Sequence, residues 1–350
     1  MPRAPCPYFI LIIMTEKERL LKVLRGESVD RTPVICPGGM MTMACREVMI
    51  QTGCRWPAAH RDAQKMAELS IAMRMQRGLE NLDIPCCMTA EAEAFGGEVE
   101  DGDEITSPHM VQYPLKSLKQ WRDLKELNPQ TDGRLPTILE CTAILSHRFS
   151  DTPVIGNLVG PLSLATSLID ATLLFKALRQ ESEDVHGLLR FLTDNSIRYG
   201  EALINSGADL IVISDPSATG EILGPELFEE FVLPYLNMMI AHMHMLGKPV
   251  IVHICGSVSP VYELLKELVS ECISVDSVVN IREAKNVISG KKLMGNVSTI
   301  LLQNGPIDRI QNASKNLLDC GIDILAPACG LSAKTPVDHI KAMTAVAKSV

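Results

Sequence analysis

The chain has 350 residues, 46% hydrophobic and 21% charged, a globular composition long enough for one large core or two ordinary ones. A net charge of −9, with no cluster of Lys and Arg among aromatics, argues against a nucleic-acid binder, because phosphate contacts need such clusters. The apolar stretch from Tyr8 to Met14 is too short to cross a bilayer, and most of the 11 cysteines stand singly in apolar settings, as at Cys36, Cys141 and Cys320. Buried thiols in a reducing cytoplasm fit this pattern better than a disulfide framework.

Residues 1–13 read as a disordered extension ahead of a natural start at Met14-Thr15-Glu16. Residues 15–26 pattern as an amphipathic helix, with Leu20, Leu21, Val23 and Leu24 apolar among charges and Gly26 at its end. Thr32-Pro33-Val34-Ile35-Cys36 is a first strand, followed by the Gly-rich turn Pro37-Gly38-Gly39. A helical pattern over 61–80 leads into Ile84-Pro85-Cys86-Cys87, where the paired cysteines read as packing residues. Residues 96–136 are polar and weakly periodic, an insertion or hairpin outside the core, and a helix follows over 137–148.

From there strand and helix alternate regularly. Strands are expected near 153, 208, 248, 272, 292 and 322, with helices through about 205 and over 226–246, 258–270, 281–288, 306–319 and 336–349. His242 and His244 diverge on the second of these helices and read as surface residues. Eight strand-then-helix units imply parallel strands joined by right-handed crossovers, and the simplest closure is a TIM-type (β/α)8 barrel. Residues 14–350 then form a single barrel domain with an N-terminal helical segment and a polar insertion near 96–136. A doubly wound open sheet is the alternative, weakened because no Gly-x-Gly-x-x-Gly follows an early strand.

The strand Lys248-Pro249-Val250-Ile251-Val252 ends in His253-Ile254-Cys255-Gly256. Positions i and i+2 of a strand point the same way, so His253 and Cys255 face one point, and Gly256 lets the backbone turn away. Imidazole and thiolate are a zinc ligand pair; Cys329, in Pro327-Ala328-Cys329-Gly330 after the last strand, is the best third ligand. The other strand ends supply Asn157, Asp215, Asp276 and Asn296. Asp276 is either a carboxylate ligand or a solvated acid. Asn157, Asp215 and Asn296 either hold a substrate or cofactor or tie down loops. Glu91 and Glu93 follow the second strand, with nothing in their spacing that demands a role.

Two thiolates and a neutral imidazole cancel the charge of a divalent zinc. Such a site polarises carbonyls weakly but suits an incoming thiol, which coordination deprotonates. Thiol alkylation, with a methyl group as the electrophile, is the matching reaction. A structural zinc would want a fourth protein ligand.

The chain resembles the uroporphyrinogen decarboxylase superfamily over nearly its whole length from Met14. The resemblance rests on the run Leu24 to Pro33, Gly207-Ala208-Asp209 with Asp215, Phe228 to Tyr235, Gly295-Asn296 and Thr335-Pro336-Val337. It departs from the decarboxylase after the first strand, where Cys36-Pro37-Gly38-Gly39-Met40 replaces an arginine-bearing loop, so a tetrapyrrole with many carboxylates lacks its counter-charge. His253-Ile254-Cys255-Gly256 and Ala328-Cys329-Gly330 look like the methylcobamide:coenzyme M methyltransferase branch. The resemblance implies zinc held by His253, Cys255 and Cys329, with Asp276 where that branch tends to place an acid. It further implies methylcobalamin on a separate corrinoid protein as methyl donor, coenzyme M or a similar thiol as acceptor, and cobalt(I) left behind. Tetrahydrofolate as acceptor, a uroporphyrinogen-decarboxylase-like protein without methyl transfer, and a zinc-stabilised corrinoid-protein partner without turnover are the alternatives.

Overall fold

Short apolar runs, each returned to its starting end by a helix, can satisfy their backbone groups only by pairing side by side and burying both faces. The computed structural model describes residues 14–36, 44–76, 78–84 and 87–349. Its strands are β1 (Leu82–Asp83), β2 (Glu98–Glu100), β3 (His109–Gln112), β4 (Val154–Val159), β5 (Leu210–Ser214), β6 (Val250–Ile254), β7 (Cys272–Val275), β8 (Lys292–Val297) and β9 (Ile324–Pro327). Seven form one parallel sheet in the order β1-β4-β5-β6-β7-β8-β9, and β2 and β3 form a separate antiparallel hairpin.

The run at Thr32 yields a single parallel bridge, Val34 to Leu325 of β9. The Ile35 amide donates to the Leu325 carbonyl (3.2 Å), and the Glu80 amide donates to the Val34 carbonyl (2.8 Å). This segment therefore fills the gap between β9 and β1, closing a TIM-type (β/α)8 barrel. Its short pairing is supplemented by the buried Glu80 carboxylate, which accepts from the Val34 amide at 3.1 Å and from Arg31 at 3.0 and 2.5 Å.

Strand alternation divides the apolar residues into two sets. Ile155, Leu210, Val212, Ile251, Cys272, Met294, Ile324 and Ala326 form the barrel's inner cluster, whereas Ile211, Ile213, Val252, Ile273 and Val275 face the surrounding helices. The helix Glu16–Leu24 plugs the N-terminal end of the barrel. Thr15 and Glu18 cap it reciprocally, and its Leu20, Val23 and Leu24 join the inner cluster. Toward the other end the same inward positions become polar: Asn157, Ser214, His253, Ser274 and Asn296. Ser214, His253 and Ser274 lie side by side in the strand register.

The structure alters some expectations. The helix expected over 226–246 is two, Gly220–Phe231 and Leu233–Met245, and the first is itself kinked at Gly224 (φ 70°) before Pro225. The helix expected over 258–270 is reduced to Ser259–Val261 and Tyr262–Leu265. Within 96–136, β2 and β3 pair as a hairpin, but Leu115, Leu118, Leu127 and Leu135 are buried in the main core. Their irregular spacing hid that burial. His242 and His244 are half-buried and meet different acids, Glu201 (2.6 Å) and Glu271 (3.0 Å). The extension at 1–13, the turn at Pro37 and Cys86 lie outside the described residues.

Candidate metal centre

His253 occupies the last inward position of β6 and is 4% exposed. Cys255 follows just beyond the strand, and Gly256 then takes a left-handed conformation (φ 72°). A Cβ at Gly256 would stand 2.8 Å from both Thr219 Oγ1 and Glu221 Oε1, so the turn requires glycine. Cys329 leaves the end of β9, where the Ala328 amide donates to the Val297 carbonyl at 2.8 Å.

These three side chains converge. His253 Nε2 lies 3.1 Å from Cys255 Sγ, and Cys255 Sγ lies 3.4 Å from Cys329 Sγ. One ligand atom from each falls within 4.8 Å of the others. Tetrahedral zinc, with Zn–N of about 2.0 Å and Zn–S of about 2.3 Å, sets its donors roughly 3.5 Å apart. The donor set and its spacing therefore fit zinc. The other ring nitrogen, Nδ1, lies 2.9 Å from the buried Ser274 Oγ.

The two thiols share their protons unequally. A hydrogen bond from Cys255, reinforced by His253, pulls the Cys329 thiol below its ordinary range, although burial opposes this. The same hydrogen bond, with burial and the nearby Asp276 charge, pushes Cys255 up. The pair thus gives up its first proton easily and keeps its second, until a cation stands beside both sulfurs.

The other strand-end residues surround this group without joining it. Asp276 Oδ2 accepts the Gly256 amide at 3.1 Å, and Oδ1 accepts from the Ser277 hydroxyl and the Val278 amide at 3.1 and 3.3 Å. Its carboxylate lies outside the three-donor group and clamps the turn that carries Cys255. Asn296 Nδ2 donates to the Asp276 and Val279 carbonyls at 2.8 and 2.9 Å, tying down the loop after β7. Asp215 accepts from the Ser163 hydroxyl (2.6 Å), the Ser163 amide (2.9 Å) and the Leu162 amide (3.3 Å). It therefore caps the helix Pro161–Leu168, in the unit before its own, and burial pushes its carboxyl up to about 6. Asn157 is buried on the inward face of β4.

Three residues carry more than the sequence suggested. Glu91 is buried where β4 ends, accepts the Val159 amide at 3.0 Å, and is pushed by burial up to about 8. Cys87, expected to do no more than pack, accepts from Arg134 at 3.3 Å and lies 2.9 Å from the Thr89 hydroxyl. The third is Ser274. Its one advance signal was a hydroxyl set inside the apolar run Cys272-Ile273-Ser274-Val275, in the inward register of His253.

The family model of uroporphyrinogen decarboxylase (URO-D) matches residues 15–350. The chain is 35% identical over 337 residues to the methylcobamide:CoM methyltransferase MtbA of Methanosarcina acetivorans, covering 96% of this chain and 98% of that one. It is 33% identical to the methylcobamide:CoM methyltransferase MtaA of Methanosarcina barkeri, covering 95% and 97%. Among solved structures, a methyltransferase from Methanosarcina mazei superposes with a TM-score of 0.89 at 31% identity, over 96% of this chain and 99% of that one.

Proposed function

The chain belongs to the uroporphyrinogen decarboxylase family, in its methylcobamide:coenzyme M methyltransferase branch, and on that premise we propose a zinc-dependent methyl transfer. The donor is methylcobalamin carried on a corrinoid protein, and the acceptor is the thiol of coenzyme M or a close relative. The convergence of His253, Cys255 and Cys329 at the C-terminal mouth of the barrel supports this reading most strongly.

Those three residues would hold zinc, which when bound supplies a Lewis-acid position at which a thiol loses its proton near neutral pH. The chain's own side chains prepare that position. The Cys255 and Cys329 sulfurs bring the two negative charges that offset a divalent cation. The Asp276 carboxylate and the Gly256 turn fix where Cys255 stands. Because Asp276 is occupied with its loop, the reading keeps three protein ligands and leaves the fourth corner for the substrate's sulfur. In the transfer itself a carbon–sulfur bond forms and the cobalt–carbon bond breaks. The electron pair of that bond stays on cobalt, and the thiol proton goes to solvent. The reading places the enzyme in the cytoplasm, where thiols stay reduced; among the described residues no single helix is long and apolar enough to cross a membrane.

The test is methyl transfer from methylcobalamin by the zinc-loaded chain, with coenzyme M and tetrahydrofolate as separate acceptors. Methylated coenzyme M as product, with cobalt(I) appearing at the same rate, is the expected result. Transfer to tetrahydrofolate alone would move the acceptor to the alternative reading. No transfer to either, with zinc bound, would overturn the proposal.

A further inference from the structure

We infer that Ser274 is a positioning residue for the metal centre, fixing which nitrogen of His253 faces the ion. The inference rests on the zinc reading above. A neutral imidazole carries one N–H and one lone pair, so a ring that offers Nε2 to a cation must keep its proton on Nδ1. That proton is 4% exposed with its ring and cannot be left to water; it needs an acceptor inside the barrel. Ser274 Oγ provides one at 2.9 Å, from a fully buried residue registered beside His253 on β7.

With no cation bound, the hydroxyl is equally able to donate to Nδ1 while Nε2 keeps the proton and turns it toward the Cys255 sulfur. Loading a cation at Nε2 removes that choice. Nδ1–H then donates, Ser274 accepts, and the serine's own hydrogen rotates away. Orienting partners of this kind change metal affinity by about 10- to 100-fold when removed.

The barrel contains its own control. Ser214 sits on the opposite side of His253 in the same register, is equally buried, and has a hydroxyl with no hydrogen-bond partner among the described residues. Residue type and register depth are matched and both serines are buried, but the ring contact belongs to Ser274 alone of the two.

The experiment measures zinc dissociation constants by competition with a chromophoric chelator for the wild type, Ser274→Ala, Ser274→Thr and Ser214→Ala. It adds the 15N ring spectrum of the zinc-loaded wild type, with the His253 signals assigned by their absence from His253→Asn. Ser274→Ala should bind zinc about 10- to 100-fold more weakly, whereas Ser274→Thr, which keeps the hydroxyl, and Ser214→Ala should match the wild type. The His253 ring should show metal at Nε2 and a slowly exchanging proton on Nδ1. A Ser274→Ala affinity equal to the wild type's, or metal on Nδ1, overturns this inference and leaves the zinc reading standing. A wild type that takes up no zinc overturns both. The ring spectrum of the wild type decides the tautomer even where a variant does not fold.

Discussion

Cys272 and the pair Cys255 and Cys329 belong to the same barrel, yet their thiols have opposite prospects. Cys272 lies fully buried among Ile251, Met294 and Ile324, and burial raises its thiol well above the ordinary range. Cys255 and Cys329 are half-buried at the mouth, 3.4 Å apart, and Cys329 is held below that range. Residue type is constant, so the neighbours decide: Cys272 meets an apolar cluster, whereas Cys329 meets a second thiol and an imidazole that hold its sulfur below the usual range although burial opposes them. The lower end, plugged by the helix Glu16–Leu24, keeps the barrel standing. The upper end carries polar groups on the same inward face because the strands beneath need no help from them.

That division makes opposite predictions for substitutions at the two ends. The largest effect should come from Cys329→Ser, which removes zinc and methyl transfer together, with far-UV circular dichroism and melting temperature close to the wild type's. A chain that unfolds on losing this one thiol would mean that the two ends are not separable. Ile251→Ala, two positions below His253 on the same face, should do the reverse. It should lower stability by about 2–5 kcal/mol in denaturant melts while the folded chain still takes up one zinc.

A smaller effect should be visible in pH. The Glu91 carboxyl, ordinarily near 4.5, is pushed by burial up to about 8, so between those values the folded chain holds a proton that the unfolded chain has lost. Its contribution to stability is therefore full below about pH 4.5, declines as pH rises and is gone above about pH 8. Glu91→Gln, which keeps an acceptor for the Val159 amide, should gain melting temperature relative to the wild type between pH 6 and pH 9. Parallel melting curves for the two proteins across that range would contradict the burial argument.

The sequence carried the three convergent side chains because each had a local signal. The strand period of two put His253 and Cys255 on one face, and the Ala-Cys-Gly context marked Cys329. Eight apolar runs with helices between them were enough for the barrel, including the short Val34 segment that closes it by one bridge. The roles of Asp276, Asn296 and Asp215 were not legible. A strand-end acid or amide reads the same whether it faces a ligand or the backbone, and the backbone groups they meet lie largely on neighbouring units: the Ser163 amide for Asp215, the Gly256 amide for Asp276, and the Asp276 and Val279 carbonyls for Asn296. Ser274 escaped for a related reason, since its partner lies across the strand register and 21 residues earlier in the chain.

The central claim is that three protein donors leave one corner of a zinc ion for a substrate's sulfur. Zinc K-edge X-ray absorption of the metal-loaded chain, with and without coenzyme M, tests it most directly. The account predicts two sulfurs and one imidazole nitrogen from the protein beside a light-atom ligand, changing to three sulfurs when coenzyme M is added. A coordination shell already closed by four protein ligands, and unchanged by the thiol, would contradict it.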